Sequence, residues 1–178
     1  MMDPAYFVGR KAIVGWINDT FAMNISKIEE TASGAVACQI LDAVYPGEMP
    51  MAKVRWDAKS PHEFIENYKL IQRLLEKKGV DKYIEVERLM RAKYQDNLEN
   101  MQWFKSFYEK NCPGGPYDAP ARRTRGRGAD AVPAFATSAA LRGARADGGD
   151  DDAPAGGAGG GRTSTGAAAT GAPRAAAA

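Results

Sequence analysis

The chain has 178 residues, a net charge of +2, and two parts of very different composition. Residues 1–112 contain all three Trp and 14 of the 16 aromatic side chains, whereas residues 113–178 contain 14 of the 19 Gly. The second part lacks the large apolar side chains that would offset the entropy cost of ordering it. We therefore predict one domain over residues 1–112, followed by a disordered Ala/Gly/Arg-rich tail over residues 113–178.

Charge and composition also exclude several classes of protein. Residues 1–112 carry 16 basic and 16 acidic side chains, and residues 113–178 carry eight Arg against six Asp. No apolar run approaches the ~18 residues of a membrane span, and the N-terminus has no apolar signal core. Two cysteines and one histidine are too few for a disulfide framework or a zinc site. We expect an intracellular protein with no membrane, metal or cofactor partner.

The first predicted elements are helices. Apolar residues recur at helical spacing over residues 9–23. Ser26 and Glu29 have the spacing of a capping box, which predicts a short helix after them. Ser33 is a suitable cap for a third helix, which should end before Pro46.

Residues 48–59 have no clean period and predict a long connection. The strongest local signal follows it, because Ser60, Pro61 and Glu63 suit the N-cap, first and third positions of a helix. Gly79 is expected to end this helix in the left-handed conformation.

The remaining elements of the domain are also predicted to be helical. A short helix is expected over residues 86–91, and a last helix should be capped at Asp96 and reach Asn111. Trp103 is expected to be a core aromatic of this last helix. Because no segment alternates with period two, the sequence predicts an all-α domain of four longer helices and two or three short ones.

Catalysis is not expected, since the chain lacks the motifs that carry it. There is no Gly-x-Ser-x-Gly elbow, no phosphate loop and no His-Glu-x-x-His pair. His62 is predicted to be an exposed residue in a first helical turn, and Cys38 a small core residue in an apolar helix. We therefore predict a non-enzymatic binding protein.

Local clusters of basic residues are better candidates for function. Lys53, Arg55 and Lys59 occur within seven residues, interleaved with Val54 and Trp56. In an extended segment Lys53 and Arg55 would face outward, while Val54 and Trp56 would anchor the connection to the core.

Two further basic clusters precede predicted helices. Arg91 and Lys93 lie before the last helix, and Arg10 and Lys11 lie at the start of the first. From the pattern alone these clusters are consistent either with a functional basic face or with ordinary solvated charge.

Many blocks of residues 2–112, in order, resemble the microtubule end-binding family. The opening residues 2–10 are similar to its plant and green-algal branch. The matching blocks include Trp16-Ile17-Asn18, Ser33-Gly34-Ala35-Val36-Ala37-Cys38-Gln39, Tyr45-Pro46-Gly47, Lys53-Val54-Arg55-Trp56-Asp57-Ala58-Lys59, Gly79-Val80-Asp81-Lys82 and Gln95-Asp96-Asn97-Leu98-Glu99.

The resemblance implies a calponin-homology domain that binds the microtubule lattice between tubulin dimers near growing plus ends and regulates microtubule dynamics. It implies a location in the cytoplasm, on the cytoskeleton and the spindle. Ala52 stands where many relatives have a lysine, which should weaken binding modestly. The predicted microtubule-binding residues are Arg10, Lys53, Arg55, Lys59, Arg91, Lys93, Gln95 and Asn97.

The chain departs from the family after residue 130. Relatives carry a coiled coil, a four-helix cap that recruits Ser-x-Ile-Pro peptides, and usually an acidic tail, and none of these is present in the sequence. We therefore expect a monomer that does not recruit the cargo peptides of the family.

The arginines of residues 122–127 have more than one interpretation. The acidic tails of tubulin could be contacted by Arg122, Arg123, Arg125 and Arg127. Alternatively, Arg125 to Gly128 could act as an Arg-Gly box for RNA, or the segment could be a solvated linker.

The alternatives for the whole protein are an actin-binding or adaptor calponin-homology protein and an RNA-associated protein. Deleting residues 113–178 would separate the last, because lattice binding should then mostly persist.

Overall fold

The structure is a computed structural model, and it describes residues 8–136. Those residues form α-helices and two short 3-10 helices around one apolar core, with a single isolated β-bridge and no β-strand. No helix in this range is long and apolar enough to cross a bilayer. The all-α prediction is confirmed. The helices are α1 (Arg10–Phe21), a 3-10 helix (Ile28–Ser33), α2 (Ala35–Val44), a 3-10 helix (Met51–Lys53), α3 (Pro61–Lys77), α4 (Val86–Met90), α5 (Tyr94–Asn111) and α6 (Ala119–Arg123).

Helix α2 is the centre of the fold. All ten of its residues are buried, and α3, α5, α6 and the first 3-10 helix contact it. A helix that is apolar on nearly every side is expected to be surrounded by other elements. Its two buried polar residues, Gln39 and Asp42, are fully removed from solvent and require partners inside the protein.

The sequence signals at the ends of α3 are confirmed. The backbone amide of Glu63 donates to Ser60 Oγ at 3.4 Å, and the amide of Ser60 donates to Glu63 Oε2 at 3.0 Å. This is a reciprocal capping box. Gly79 follows the helix with φ +66°, a conformation that costs glycine little. His62 is exposed, as predicted.

Two predicted helix starts are wrong in detail. Ahead of the first 3-10 helix, the backbone amides of Ser26 and Lys27 donate to Glu30 Oε2, so the capping carboxylate is Glu30 and not Glu29. Helix α5 begins at Tyr94, two residues before the predicted cap.

The core assignment of Cys38 agrees with the structure, where it is fully buried and its burial raises the pKa of the thiol.

The aromatic core of α5 is centred on Phe104 and not on Trp103. Phe104 is fully buried, whereas Trp103 is partly exposed and stacks on Phe107 with ring centroids 4.9 Å apart. The ammonium of Lys82 lies 5.1 Å from the centroid of the Trp103 ring on the outside of the domain. Trp103 therefore covers the core from its rim.

The packed structure continues past residue 112, where the sequence analysis placed the end of the domain. Residues 113–136, which we call the strap, run back over the helices and contain α6. Ala119, Arg123 and Phe135 of the strap are buried. Phe135 contacts the ring of Trp56 with centroids 5.0 Å apart. The boundary at residue 112 is thus too early, and the predicted disorder of residues 137–178 lies outside the described residues.

Candidate functional site

The connection between α2 and α3 carries the first group of predicted contact residues. Lys53 and Lys59 are exposed, whereas Val54 and Trp56 are at most 1% exposed. The alternation predicted for this segment is therefore present, with the apolar pair anchored in the core. Neither lysine forms an ion pair with a residue in the described part of the chain.

Arg55 differs from these lysines because carboxylates surround its guanidinium. Nη2 lies 2.8 Å from Glu63 Oε1, Nη1 lies 3.3 Å from Glu66 Oε2, and Nε lies 3.9 Å from Asp57 Oδ1. The side chain of Arg55 is only 17% exposed. Arg55 holds the connection against α3, and its charge is largely compensated.

Asn67 fixes the same connection from beneath, a role that the sequence analysis missed. Its Oδ1 accepts from the backbone amide of Arg55 at 2.9 Å, and its Nδ2 donates to the carbonyls of Arg55 and Ser33, each at 2.9 Å. Asn67 is fully buried. The sequence did contain a signal for this role, because Asn67 is a polar residue next to Tyr68 on the apolar face of α3.

Glu63 ties the connection to the start of α3. Its carboxylate accepts from the backbone amides of Lys59 at 2.8 Å and Ser60 at 3.0 Å. These two hydrogen bonds, with the nearby charge of Arg55, lower the pKa of Glu63 to about 2. Lys59 is thus held at a fixed position by its backbone, while its side chain stays in solvent.

The second group lies at the turn between α4 and α5. Arg91 and Lys93 are exposed on either side of Ala92, which has φ +53°. The Arg10 guanidinium lies 5.4 Å from the centroid of the Tyr94 ring, which brings the start of α1 to this turn. Cation–π contacts of this kind are attractive, although modestly so at exposed sites.

Gln95 and Asn97 have different places in this turn. Gln95 is exposed and donates from Nε2 to Glu99 Oε1 at 2.8 Å. Asn97 is fully buried, and its Nδ2 donates to the carbonyls of Leu89 at 3.2 Å and Lys93 at 3.0 Å. The prediction that Asn97 contacts a partner is wrong in this structure, because its amide instead fixes the turn from inside.

The four arginines of the strap separate into two pairs. Arg122 makes a two-point ion pair with the fully buried Asp42, through Nε at 2.8 Å and Nη2 at 2.6 Å. Its hydrogen bonds with Asp42 raise the pKa of Arg122. Tyr117 adds a hydrogen bond from its hydroxyl to Asp42 Oδ2 at 2.7 Å.

Arg123 is fully buried and cannot contact a partner. Its guanidinium donates to the carbonyls of Phe21 at 2.8 Å, Ala22 at 2.9 Å and Phe135 at 2.6 Å, and to Gln39 Oε1 at 3.1 Å. Burial lowers the pKa of Arg123. The expected contact of Arg122 and Arg123 with tubulin tails is therefore replaced by an internal role.

Arg125 and Arg127 are exposed, as a contact role requires. The backbone of Arg127 pairs with the connection that carries the lysines, since its amide donates to Val54 O at 2.9 Å and its carbonyl accepts from Trp56 N at 2.8 Å. This forms a parallel bridge with Arg55.

Six of the exposed cations form two groups. The loop group consists of Lys53, Lys59 and Arg127, and the turn group consists of Arg10, Arg91 and Lys93. Within residues 8–136, no hydrogen bond, ion pair or ring contact joins the two groups. The same residues contain no group of three or more side chains suited to hold a metal ion. The arrangement suits electrostatic attraction to an acidic surface.

Comparison with known proteins identifies the family of the domain. Residues 8–112 match the family described as "Calponin homology (CH) domain". The chain is 49% identical over 130 residues to "Microtubule-associated protein RP/EB family member 1C" of Arabidopsis thaliana, covering 72% of this chain and 39% of that protein. Member 1B of the same plant is 48% identical over 130 residues, covering 71% of this chain and 44% of its own length. Member 1A is 46% identical over 129 residues, covering 70% and 46% respectively.

A solved structure is similar as well. It is described as "Structural Basis of Microtubule Plus End Tracking by XMAP215, CLIP-170 and EB1". The solved chain is 38% identical to this chain, with a TM-score of 0.63, and the match covers 66% of this chain and 99% of the solved one. The present chain therefore spans less than half the length of these curated plant relatives but the full length of the solved domain.

Proposed function

This chain belongs to the calponin homology domain family, and to the microtubule-associated RP/EB group within it, and on that premise we propose that it binds microtubules through the exposed cations of its N-terminal domain. The observation that carries the proposal is the identity of 46–49% to RP/EB proteins over 129–130 residues. Tracking of growing plus ends, regulation of microtubule dynamics and a cytoplasmic location on the microtubule cytoskeleton and the spindle are parts of the same proposal.

The charge distribution supports a surface of this kind. Lys53 and Lys59 in the loop group, and Arg91 and Lys93 in the turn group, are exposed and lack carboxylate partners among the described residues. Unpaired cations attract an acidic polymer and raise the rate of encounter with it, and salt screens both effects.

The proposal is tested by co-sedimentation of the full chain with stabilised microtubules over a series of salt concentrations. We expect binding at low salt that weakens steeply as salt rises, because the interaction is electrostatic. Lys59→Glu and Lys93→Glu should each weaken binding about tenfold, since each places an acidic group on the proposed face.

Arg73→Glu is the matched control. Arg73 is an exposed residue of α3, two turns beyond Glu66, and has no ion pair with the residues that the structure describes. The same change of charge there should leave binding nearly unaltered. A full chain that ignores microtubules at low salt would overturn the proposed function. Equal losses in Lys59→Glu and Arg73→Glu would overturn the assignment of the face.

A further inference from the structure

Residues 125–128 of the strap alternate between arginine and glycine, and the structure gives each type a separate place. Arg125 and Arg127 are exposed. A Cβ atom added at Gly126 would lie 2.5 Å from Trp56 Nε1 and 2.9 Å from Val54 O, closer than atoms can approach. The alternation therefore marks a short segment in which Gly126 packs closely against the domain while Arg125 and Arg127 face solvent.

Glycine is also required at residue 128, because of its backbone conformation and its closeness to Asp57. Its φ is +74°, and an added Cβ atom would lie 2.4 Å from the Cβ of Asp57. The backbone thus passes too close to Trp56 at residue 126 and to Asp57 at residue 128 for any side chain to fit on either side of Arg127. The packing explains the Arg-Gly pattern without an RNA partner.

The bridge decides the direction of the Arg127 side chain. Residues paired across a β-bridge project to the same face, so Arg127 projects to the side of Arg55, opposite the buried Trp56. That is the outward side of the connection that carries Lys53 and Lys59.

The charges of the bridged pair differ. Arg55 is compensated by Asp57, Glu63 and Glu66, whereas Arg127 forms no ion pair with any residue in the described range. The position next to Arg55 on this face is thus occupied by an uncompensated cation that comes from the strap and not from the connection itself.

We propose that Arg127 is a lattice-contacting residue of the loop group, held against the folded surface of tubulin by the strap. It is not a mobile anchor for the acidic tails of tubulin. This inference rests on the proposed function. It changes the composition of the binding face, because one of its cations comes from a segment after residue 112.

The test compares Arg127→Glu with Arg125→Glu in the full chain. Both arginines are exposed and both changes reverse one charge, but only Arg127 is bridged to the loop. Affinity is measured by co-sedimentation with intact microtubules and with microtubules whose acidic tails have been removed by limited proteolysis. We expect Arg127→Glu to weaken binding about tenfold on both substrates, and Arg125→Glu to weaken it less than about twofold on the trimmed ones.

Two further variants test the role of the strap. Arg127→Lys should retain most of the affinity, because the charge stays in place. Gly126→Val should weaken binding about as much as Arg127→Glu while the helical circular dichroism is retained, because a side chain at residue 126 pushes the segment off Trp56.

Three results would overturn the inference: equal effects of Arg125→Glu and Arg127→Glu, an effect of Arg127→Glu that disappears on trimmed microtubules, or wild-type affinity in Arg127→Glu. Each of these leaves the proposed function intact, provided that the wild-type chain binds. Failure of the wild-type chain to bind either substrate overturns the proposed function instead.

Discussion

Helices α1 to α5 and the strap are both packed, but by different physical means. The helices bury an apolar core, and α2 alone contributes ten buried residues. The strap is rich in arginine and glycine. Ala119 and Phe135 give it some apolar contact with the core, and it is held in addition by hydrogen bonds to groups that the core cannot satisfy itself. The comparison shows that a segment poor in apolar residues is ordered when a folded neighbour offers it buried polar partners.

Arg123 illustrates the principle. The end of α1 leaves the carbonyls of Phe21 and Ala22 without helical partners, and the guanidinium of Arg123 donates to both. A cation at the carboxyl end of a helix also interacts favourably with the helix dipole. Arg123 completes α1 in the same way that a C-cap would, although it is 101 residues from Ala22 and 102 from Phe21 in sequence.

The largest expected effect comes from removing the strap. Deleting residues 113–178 leaves Asp42 buried without Arg122 and uncovers Trp56, so we expect a loss of at least about 5 kcal/mol in the free energy of unfolding. Lattice binding should fall with it, contrary to the sequence-based expectation that binding mostly persists. Urea unfolding and co-sedimentation measure the two effects.

Deleting residues 137–178 alone is the control, since it leaves the strap in place. This shorter deletion should keep the stability of the full chain. If both deletions unfold at the same urea concentration, the strap contributes nothing and the contrast between the two regions fails.

A smaller effect is expected within the helical region, where burial alone decides the outcome. Phe104→Ala should cost about 3–5 kcal/mol, because its ring is fully buried. Trp103→Ala should cost only about 1–2 kcal/mol, because its ring is already partly in water. Chemical denaturation of the two variants ranks them, and a larger loss at Trp103 would contradict the placement of the core.

The smallest effect concerns the connection between α2 and α3, which both the helices and the strap hold in place. The pKa of Glu63 is about 2 in the folded state and about 4.3 in an unfolded chain. The folded state therefore binds fewer protons, so the stabilisation is complete above about pH 5 and is lost as the pH falls toward 2. Urea unfolding should show a shallower loss between pH 5 and pH 2 in Glu63→Gln than in the wild type.

The exposed Glu87 provides the control for this pH series. It has no partner among the described residues, so Glu87→Gln should follow the wild-type pH dependence. If Glu63→Gln also follows it, the hydrogen bonds from Lys59 and Ser60 do not stabilise the carboxylate.

Much of the fold was predictable because its signals are local. The capping box at Ser60, the left-handed Gly79 and the apolar stripes of the helices depend on residues a few positions apart. The buried place of Asn97 was not predictable in this way. Its partners are backbone carbonyls at the turn between α4 and α5, and the sequence placed the cap of α5 at Asp96, three residues after the observed N-cap Lys93.

The strap was misjudged because composition describes a segment without its surroundings. A signal did exist in α2, where Gln39 and Asp42 lie three residues apart on one face of an otherwise apolar helix. Two buried polar groups on one face predict a polar partner, but the helix itself does not identify it. The partners, Tyr117, Arg122 and Arg123, lie 75 or more residues away.

The sequence by itself determined the helices of residues 1–112, most of the apolar core and the identity of the cations, because these follow from periodicity, capping and composition. Only the tertiary structure decided which cations remain available to a partner. Arg55, Arg122 and Arg123 are engaged within the protein, and Lys53, Lys59 and Arg127 are not. A charge is compensated by groups that come from distant positions in the sequence. These groups lie close together only after the chain has folded.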